Sequence, residues 1–162
     1  MTRAISNTSP LQYLYRAGAI HWLPQLFKEI ITPEAVKKGL EEGLKRGYDV
    51  PVITSYDWLL LVNPKYTPSQ WFSLDLGAGE LAAMSLALEK PSYVLLLDDM
   101  LARRTAQAAG LTIWGTLRVI LEAKSQGLTD KVEPTITMLQ QNGMWISTKV
   151  RHRILRLAGE MK

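Results

Sequence analysis

Short apolar runs alternate with longer segments of helical spacing along the chain, and this alternation limits the fold more than any other feature. Ala4-Ile5-Ser6, Glu29-Ile30-Ile31-Thr32, residues 58–62, residues 93–97 and Thr112-Ile113-Trp114 read as strands. The run 93–97 is apolar without interruption, the pattern of a strand covered on both faces. Leu11, Leu14 and Tyr15 recur at helical spacing after Pro10, with Thr8 or Ser9 as the cap. A short helix is expected over 21–27. Thr32-Pro33-Glu34 offers a cap, a proline and a first-turn acid to a helix running toward Arg46 and stopping at Gly47. Residues 63–75, with Pro64 and Pro68, read as a long loop. Further helices are expected over 77–89, 99–109, 115–125, 131–142 and 148–160. Strands and helices in this order build an α/β fold, a parallel-stranded central sheet with helices on both faces. The length of 162 residues fits one domain, 1–162, and no repeat or linker divides it.

Composition removes several kinds of chemistry. There is no cysteine, so disulfides, thiolate metal sites and cysteine nucleophiles are excluded. The two histidines, His21 and His152, are far apart, which disfavours a histidine-rich metal centre. No apolar run approaches the roughly 20 residues of a membrane span. The start of the chain lacks the apolar stretch of a secretory signal, which points to the cytoplasm. The net charge of +4 is compatible with nucleic acid. Lys149, Arg151, Arg153, Arg156 and Lys162 crowd the last segment against Glu160 alone, a pattern that serves a solvated helix face or an RNA contact.

In open parallel sheets, ligands sit outside the carboxyl ends of the strands. Asn7, Thr8 and Ser9 follow the first run, Asp98 and Asp99 the fourth, Gly115 and Thr116 the fifth. Glu80 lies in the first turn of the helix leading into the fourth run. Oxygen ligands without cysteine or clustered histidine suit a hard cation, Mg²⁺ or Mn²⁺. Each residue also has a plainer role. Asn7 to Ser9 can be a turn and cap, one of Asp98 and Asp99 can cap the next helix, and Glu80 can answer the helix dipole.

A competing fingerprint is Gly77-Ala78-Gly79-Glu80-Leu81-Ala82, which fits G-x-G-x-x-A, with Asp98 about twenty residues on. A proline-containing loop, not a strand, precedes these glycines. Glu80 would also set a carboxylate where a pyrophosphate needs the positive helix end. Dinucleotide binding is disfavoured on both counts, and no G-x-x-x-x-G-K-[ST] loop is present.

Five motifs in order carry a resemblance: Ile5-Ser6-Asn7-Thr8-Ser9-Pro10-Leu11; Thr32-Pro33-Glu34-Ala35-Val36; Leu76-Gly77-Ala78-Gly79-Glu80; Leu97-Asp98-Asp99-Met100-Leu101-Ala102-Arg103-Arg104; and Gly115-Thr116-Leu117 with Ala123-Lys124 and Gly127-Leu128. Together they resemble a prokaryotic branch of the PIN-domain superfamily related to the ribonuclease toxins of type II toxin–antitoxin pairs. The resemblance implies a three-layer α/β/α sandwich and Mg²⁺- or Mn²⁺-dependent cleavage of RNA. By position, Glu80 matches the central helix acid, Asp98 and Asp99 the acid pair after the following strand, and Thr116 the hydroxyl after the last core strand.

The chain departs from that pattern twice. Asn7 stands where an active PIN nuclease usually has aspartate, and Gly39 where a glutamate often occurs, with Glu41 and Glu42 nearby. The leading reading is a metal-dependent RNA endonuclease, the toxin-like half of a pair. Glu80, Asp98 and Asp99 hold the metal, and Asn7 is a neutral ligand or water positioner. Ser9, Arg103 and Arg104 are candidate phosphate contacts, although Arg103 also fits an i,i+4 pair with Asp99. The alternative is a catalytically silent PIN-like module that binds a protein or RNA. Expected partners are RNA, a small antitoxin protein and a second copy of the chain. Trp71, Phe72 and Trp145 are candidates for a partner surface or the core.

Overall fold

The computed structural model describes residues 1–162. Five strands, β1 (Arg3–Ser6), β2 (Glu29–Thr32), β3 (Leu59–Leu61), β4 (Val94–Leu96) and β5 (Ile113–Trp114), form one parallel sheet in the order β3-β2-β1-β4-β5. Ser6 pairs with Leu96, and Leu96 with Trp114, so β1, β4 and β5 end level with one another. The chain moves outward from β1 in one direction to β2 and β3, and in the other to β4 and β5. The change of direction lies between β1 and β4, where open parallel sheets place a crevice.

Side chains alternate across the strands and divide the core in two. Ala4, Ile30, Val94 and Leu96 face one layer, with α1 (Thr8–Arg16), α6 (Thr116–Ser125), α7 (Glu133–Gln141) and α8 (Thr148–Leu157). Ile5, Ile31, Leu95 and Leu97 face the other, against α4 (Ala78–Glu89) and α5 (Met100–Ala108). The result is a three-layer α/β/α sandwich. Burial on both faces is what the uninterrupted run 93–97 requires. α3 (Glu34–Lys45) follows β2 and packs beside α4. No helix is long and apolar enough to cross a membrane.

Several local expectations are corrected. The helix expected over 21–27 is a 3-10 turn, Ile20–Trp22, followed by the one-turn α2 (Leu23–Leu26), since Pro24 fixes a start and Phe27 returns to extended backbone. The loop 63–75 holds a 3-10 turn, Ser69–Ser73, which folds Trp71 into the core beside α4 and leaves Phe72 outside. The cap of α1 is Asn7, not Thr8 or Ser9, and its side chain makes no capping bond. The last helix stops at Leu157 rather than near 160, because Gly159 takes a positive φ and Glu160 turns back onto Lys124.

Candidate active site

The level strand ends place Asn7, Asp98 and Thr116 along one sheet edge. Asn7 donates its backbone N–H to Leu96 O at 3.1 Å, which fixes it beside the end of β4. Its side chain is buried, and Oδ1 has no hydrogen-bond partner, the one buried side-chain polar atom in the chain without one. Gly79, at the start of α4, packs closely against Asn7 and Thr8. A Cβ there would lie 3.3 Å from Thr8 Oγ1, 3.4 Å from Val36 Cγ2 and 3.5 Å from Asn7 Oδ1.

Asp98 and Thr116 form the best-defined polar pair. Asp98 Oδ1 accepts the Thr116 backbone N–H at 2.8 Å, and Oδ2 accepts its hydroxyl at 2.7 Å. Thr116 is fully buried, so its hydroxyl orients Asp98 and is closed to any ligand. Burial pushes the Asp98 pKa above the usual carboxylate range; the two bonds from Thr116 and the nearby Arg103 guanidinium pull the other way.

Asp99 is the cap of α5, accepting from the Ala102 N–H at 2.9 Å. Of the two adjacent acids, one is therefore a helix cap and the other is held by Thr116. Glu80 accepts the Gly77 N–H at 3.0 Å, half of a capping box at the start of α4. Its pKa is raised, first by burial, against the pull of that N–H, and further by the Asp99 carboxylate beside it. Two carboxyl groups thus approach where α4 and α5 begin.

A cleft of about 520 Å³ opens beside this edge. Ser9, Asp98, Asp99 and Arg103 line it, whereas Asn7, Glu80, Arg104 and Thr116 do not. Arg104 is exposed on the outer side of α5. Arg103 makes no i,i+4 ion pair with Asp99. It turns instead across Gly115, where a Cβ would lie 2.8 Å from its Nη1 and 3.3 Å from Asp98 Oδ1. Gly39 is exposed, and a Cβ there would meet nothing within 4 Å.

The donor set available to a cation is oxygen only. No three Asp, Glu or His side chains converge into a ready ligand cluster. Each carboxylate is partly engaged, with Thr116, Ala102 or Gly77. Mg²⁺ needs fewer protein ligands than three, since it keeps several waters and is often bound through one or two carboxylates plus substrate phosphates. The Glu80–Asp99 approach and the unpartnered Asn7 oxygen fit that mode.

Sequence reasoning did not place Tyr13 or Trp145 in the cleft that Asp98 and Asp99 line. For Trp145 a signal was present: a large aromatic between Gly143 and the helix-capping Ser147 has little around it to bury against.

Residues 3–160 match the family model described as DUF3368: PIN domain. No curated protein and no solved structure matches the chain.

Proposed function

The chain belongs to the DUF3368 family of PIN domains, and from that premise we propose that it is a metal-dependent RNA endonuclease that hydrolyses phosphodiester bonds as the toxin half of a toxin–antitoxin pair. PIN domains are generally nucleases and typically use divalent metal ions. The observation that carries the reading is Asp98, held by Thr116 at the crevice where the sheet changes direction, with Asp99 next to it in the cleft. Glu80 and Asp99 would hold Mg²⁺ or Mn²⁺, with Asp98 oriented toward the same ion or its waters. A bound divalent cation supplies Lewis-acid charge for phosphodiester hydrolysis. The protein's own part is binding and orientation. Thr116 fixes Asp98, and Arg103 draws the phosphate toward the acids. Ser9 offers a hydroxyl on the same wall. Arg104 is an outer contact for the RNA backbone.

A cytoplasmic protein with an antitoxin partner fits this reading. Exposed Phe72 supports a partner surface, for a small protein or a second copy. Asn7 and Gly39 favour a second reading, a silent module that binds RNA or protein. The first offers no charge, and the second leaves open space where a carboxylate would stand.

Calorimetry with Mn²⁺ and cleavage of single-stranded RNA, on the parent and on Asp98→Asn, test the first reading. The parent is expected to bind Mn²⁺ and cut, and Asp98→Asn to lose both. A parent that binds RNA but neither Mn²⁺ nor cuts makes the silent module the better account.

A further inference from the structure

We propose that Trp145 is a stacking platform for one base of single-stranded RNA, set on the wall of the cleft that carries Asp98 and Asp99. The proposal rests on the ribonuclease reading and names the form of RNA that the site takes. Trp145 is 86 % exposed, more than any other large apolar side chain in the protein. Its neighbours are not loose. Gly143 adopts φ +97, a conformation open to glycine, and so turns the chain out of α7. Met144 donates its N–H to Leu139 O at 2.9 Å, and Ile146 O accepts from Gln140 Nε2 at 3.3 Å. Gln140 is itself held by Arg151 Nη1 at 2.8 Å. Ser147 caps α8 through the Val150 N–H at 3.1 Å. Met144 and Ile146, on either side, pack against the larger core. An indole left outside a segment tied at both ends is already positioned for a flat ligand.

The cleft has the size and division of a nucleotide site. Its volume of about 520 Å³ falls within the range of small-ligand pockets. Apolar Met100, Leu117 and Val150 share it with Trp145, and Asp98, Asp99 and Arg103 give it a charged side. A base on the indole would leave its phosphate to the polar part.

Charge favours a polyanion over an apolar peptide. Lys149 and Arg153, exposed on either side of Val150 along α8, enter none of the protein's ion pairs, and Arg103, which lies near Asp98, makes no ion pair within 4 Å. The net charge of +4 adds a general attraction. Aromatic platforms beside basic groups bind single strands with little sequence preference, because every base has a π-face. In a duplex those faces are already stacked.

The test is the affinity of a fluorescein-labelled single-stranded hexaribonucleotide, followed by anisotropy in EDTA so that no metal-dependent cleavage intervenes. Trp145→Ala should weaken binding by about tenfold, and Trp145→Phe should recover most of the loss. The same RNA as a duplex should bind both variants alike. Because Trp145 is exposed, the circular dichroism and Tm of the variants should match the parent. If the parent binds the hexamer and Trp145→Ala binds it equally well, the platform is overturned while the ribonuclease reading stands. Equal losses on single strand and duplex overturn it too, since they report charge and not stacking. A parent that neither binds nor cuts single-stranded RNA overturns both proposals.

Discussion

Thr116 donates to both carboxylate oxygens of Asp98, its backbone N–H to one at 2.8 Å and its hydroxyl to the other at 2.7 Å. The two residues come from adjacent strand ends, so the pair ties β4 to the start of α6 where the candidate site lies. Thr116→Val keeps the shape and the backbone bond but leaves Asp98 Oδ2 without its donor. Leaving such an acceptor unpaired costs about 1–3 kcal/mol. The lost bond also removes an influence that lowers the Asp98 pKa, so the acid should titrate at still higher pH. Urea unfolding should show the loss, and RNA cleavage should fall with it. Thr116→Ser should restore both. Equal stability and cleavage for the valine variant would mean that the hydroxyl does not orient Asp98.

This pair also marks where the sequence stops being legible. The strands, their parallel arrangement and the oxygen-bearing residues that end them follow from local patterns: apolar runs, prolines, glycines and caps. The family resemblance added expected roles for Glu80, Asp98, Asp99 and Thr116. The Asp98–Thr116 bond depends on how β4 and β5 come into register, and Thr116 alone carries no sign of it. Arg103 illustrates the same limit. Its spacing to Asp99 predicts an i,i+4 pair, but Gly115, twelve positions further on, leaves space that draws the guanidinium across it. Trp71 reads as a loop residue until the loop folds back on α4, which no local pattern encodes.

Gly115→Ala acts first on Arg103, with a smaller push on Asp98 Oδ1, which the new Cβ would meet at 3.3 Å. The new Cβ would come within 2.8 Å of Arg103 Nη1, the far end of a flexible side chain, so the guanidinium must move. The backbone at Gly115, φ −82, accepts alanine without strain. Stability should change by less than about 1 kcal/mol. RNA affinity should drop several-fold, on the order of one lost charged contact, while Mn²⁺ affinity measured by calorimetry should hold. Unchanged RNA affinity would remove Arg103 from the phosphate site.

Glu160 makes the stability of the last helices depend on pH. Its side chain is nearly buried. It accepts the Val132 N–H at 2.8 Å and the Glu133 N–H at 3.2 Å, and pairs with Lys124 at 2.9 Å. Burial acts to raise its pKa, but those partners outweigh it and hold the carboxyl below its ordinary 4.5. A depressed acid contributes stability that is fully present above the unfolded pKa. That contribution is lost as pH falls through the lower folded value. Glu160→Gln should cost about 1–2 kcal/mol near pH 7. The difference from the parent should shrink as pH falls below 4.5 and through the lower folded value. Thermal melts of both proteins from pH 7 to pH 3 measure this, and a pH-independent difference would show that the charge is not what matters.

Asn7→Asp decides whether the neutral residue at the end of β1 belongs to a cation site. The Asn7 side-chain oxygen is buried without a donor, so nothing in the protein would stabilise an aspartate there. Without metal, the substitution should lower stability by about 1–3 kcal/mol or force the new acid to stay protonated. Glu80 and Asp99 already repel each other nearby, which deepens that cost. A divalent cation bound among them reverses the balance, because it is attracted by each added charge. Binding to the folded state alone stabilises by RT ln(1 + [L]/Kd). The variant should therefore melt below the parent in EDTA and gain more than the parent from the same Mn²⁺ concentration. Its Mn²⁺ affinity by calorimetry should rise, and cleavage of single-stranded RNA should rise with it if the chain is a nuclease held back by its asparagine. A variant that is destabilised in EDTA and regains nothing from Mn²⁺ would place Asn7 outside the cation's reach. A variant that binds Mn²⁺ more tightly yet leaves RNA uncut would favour the silent binding module.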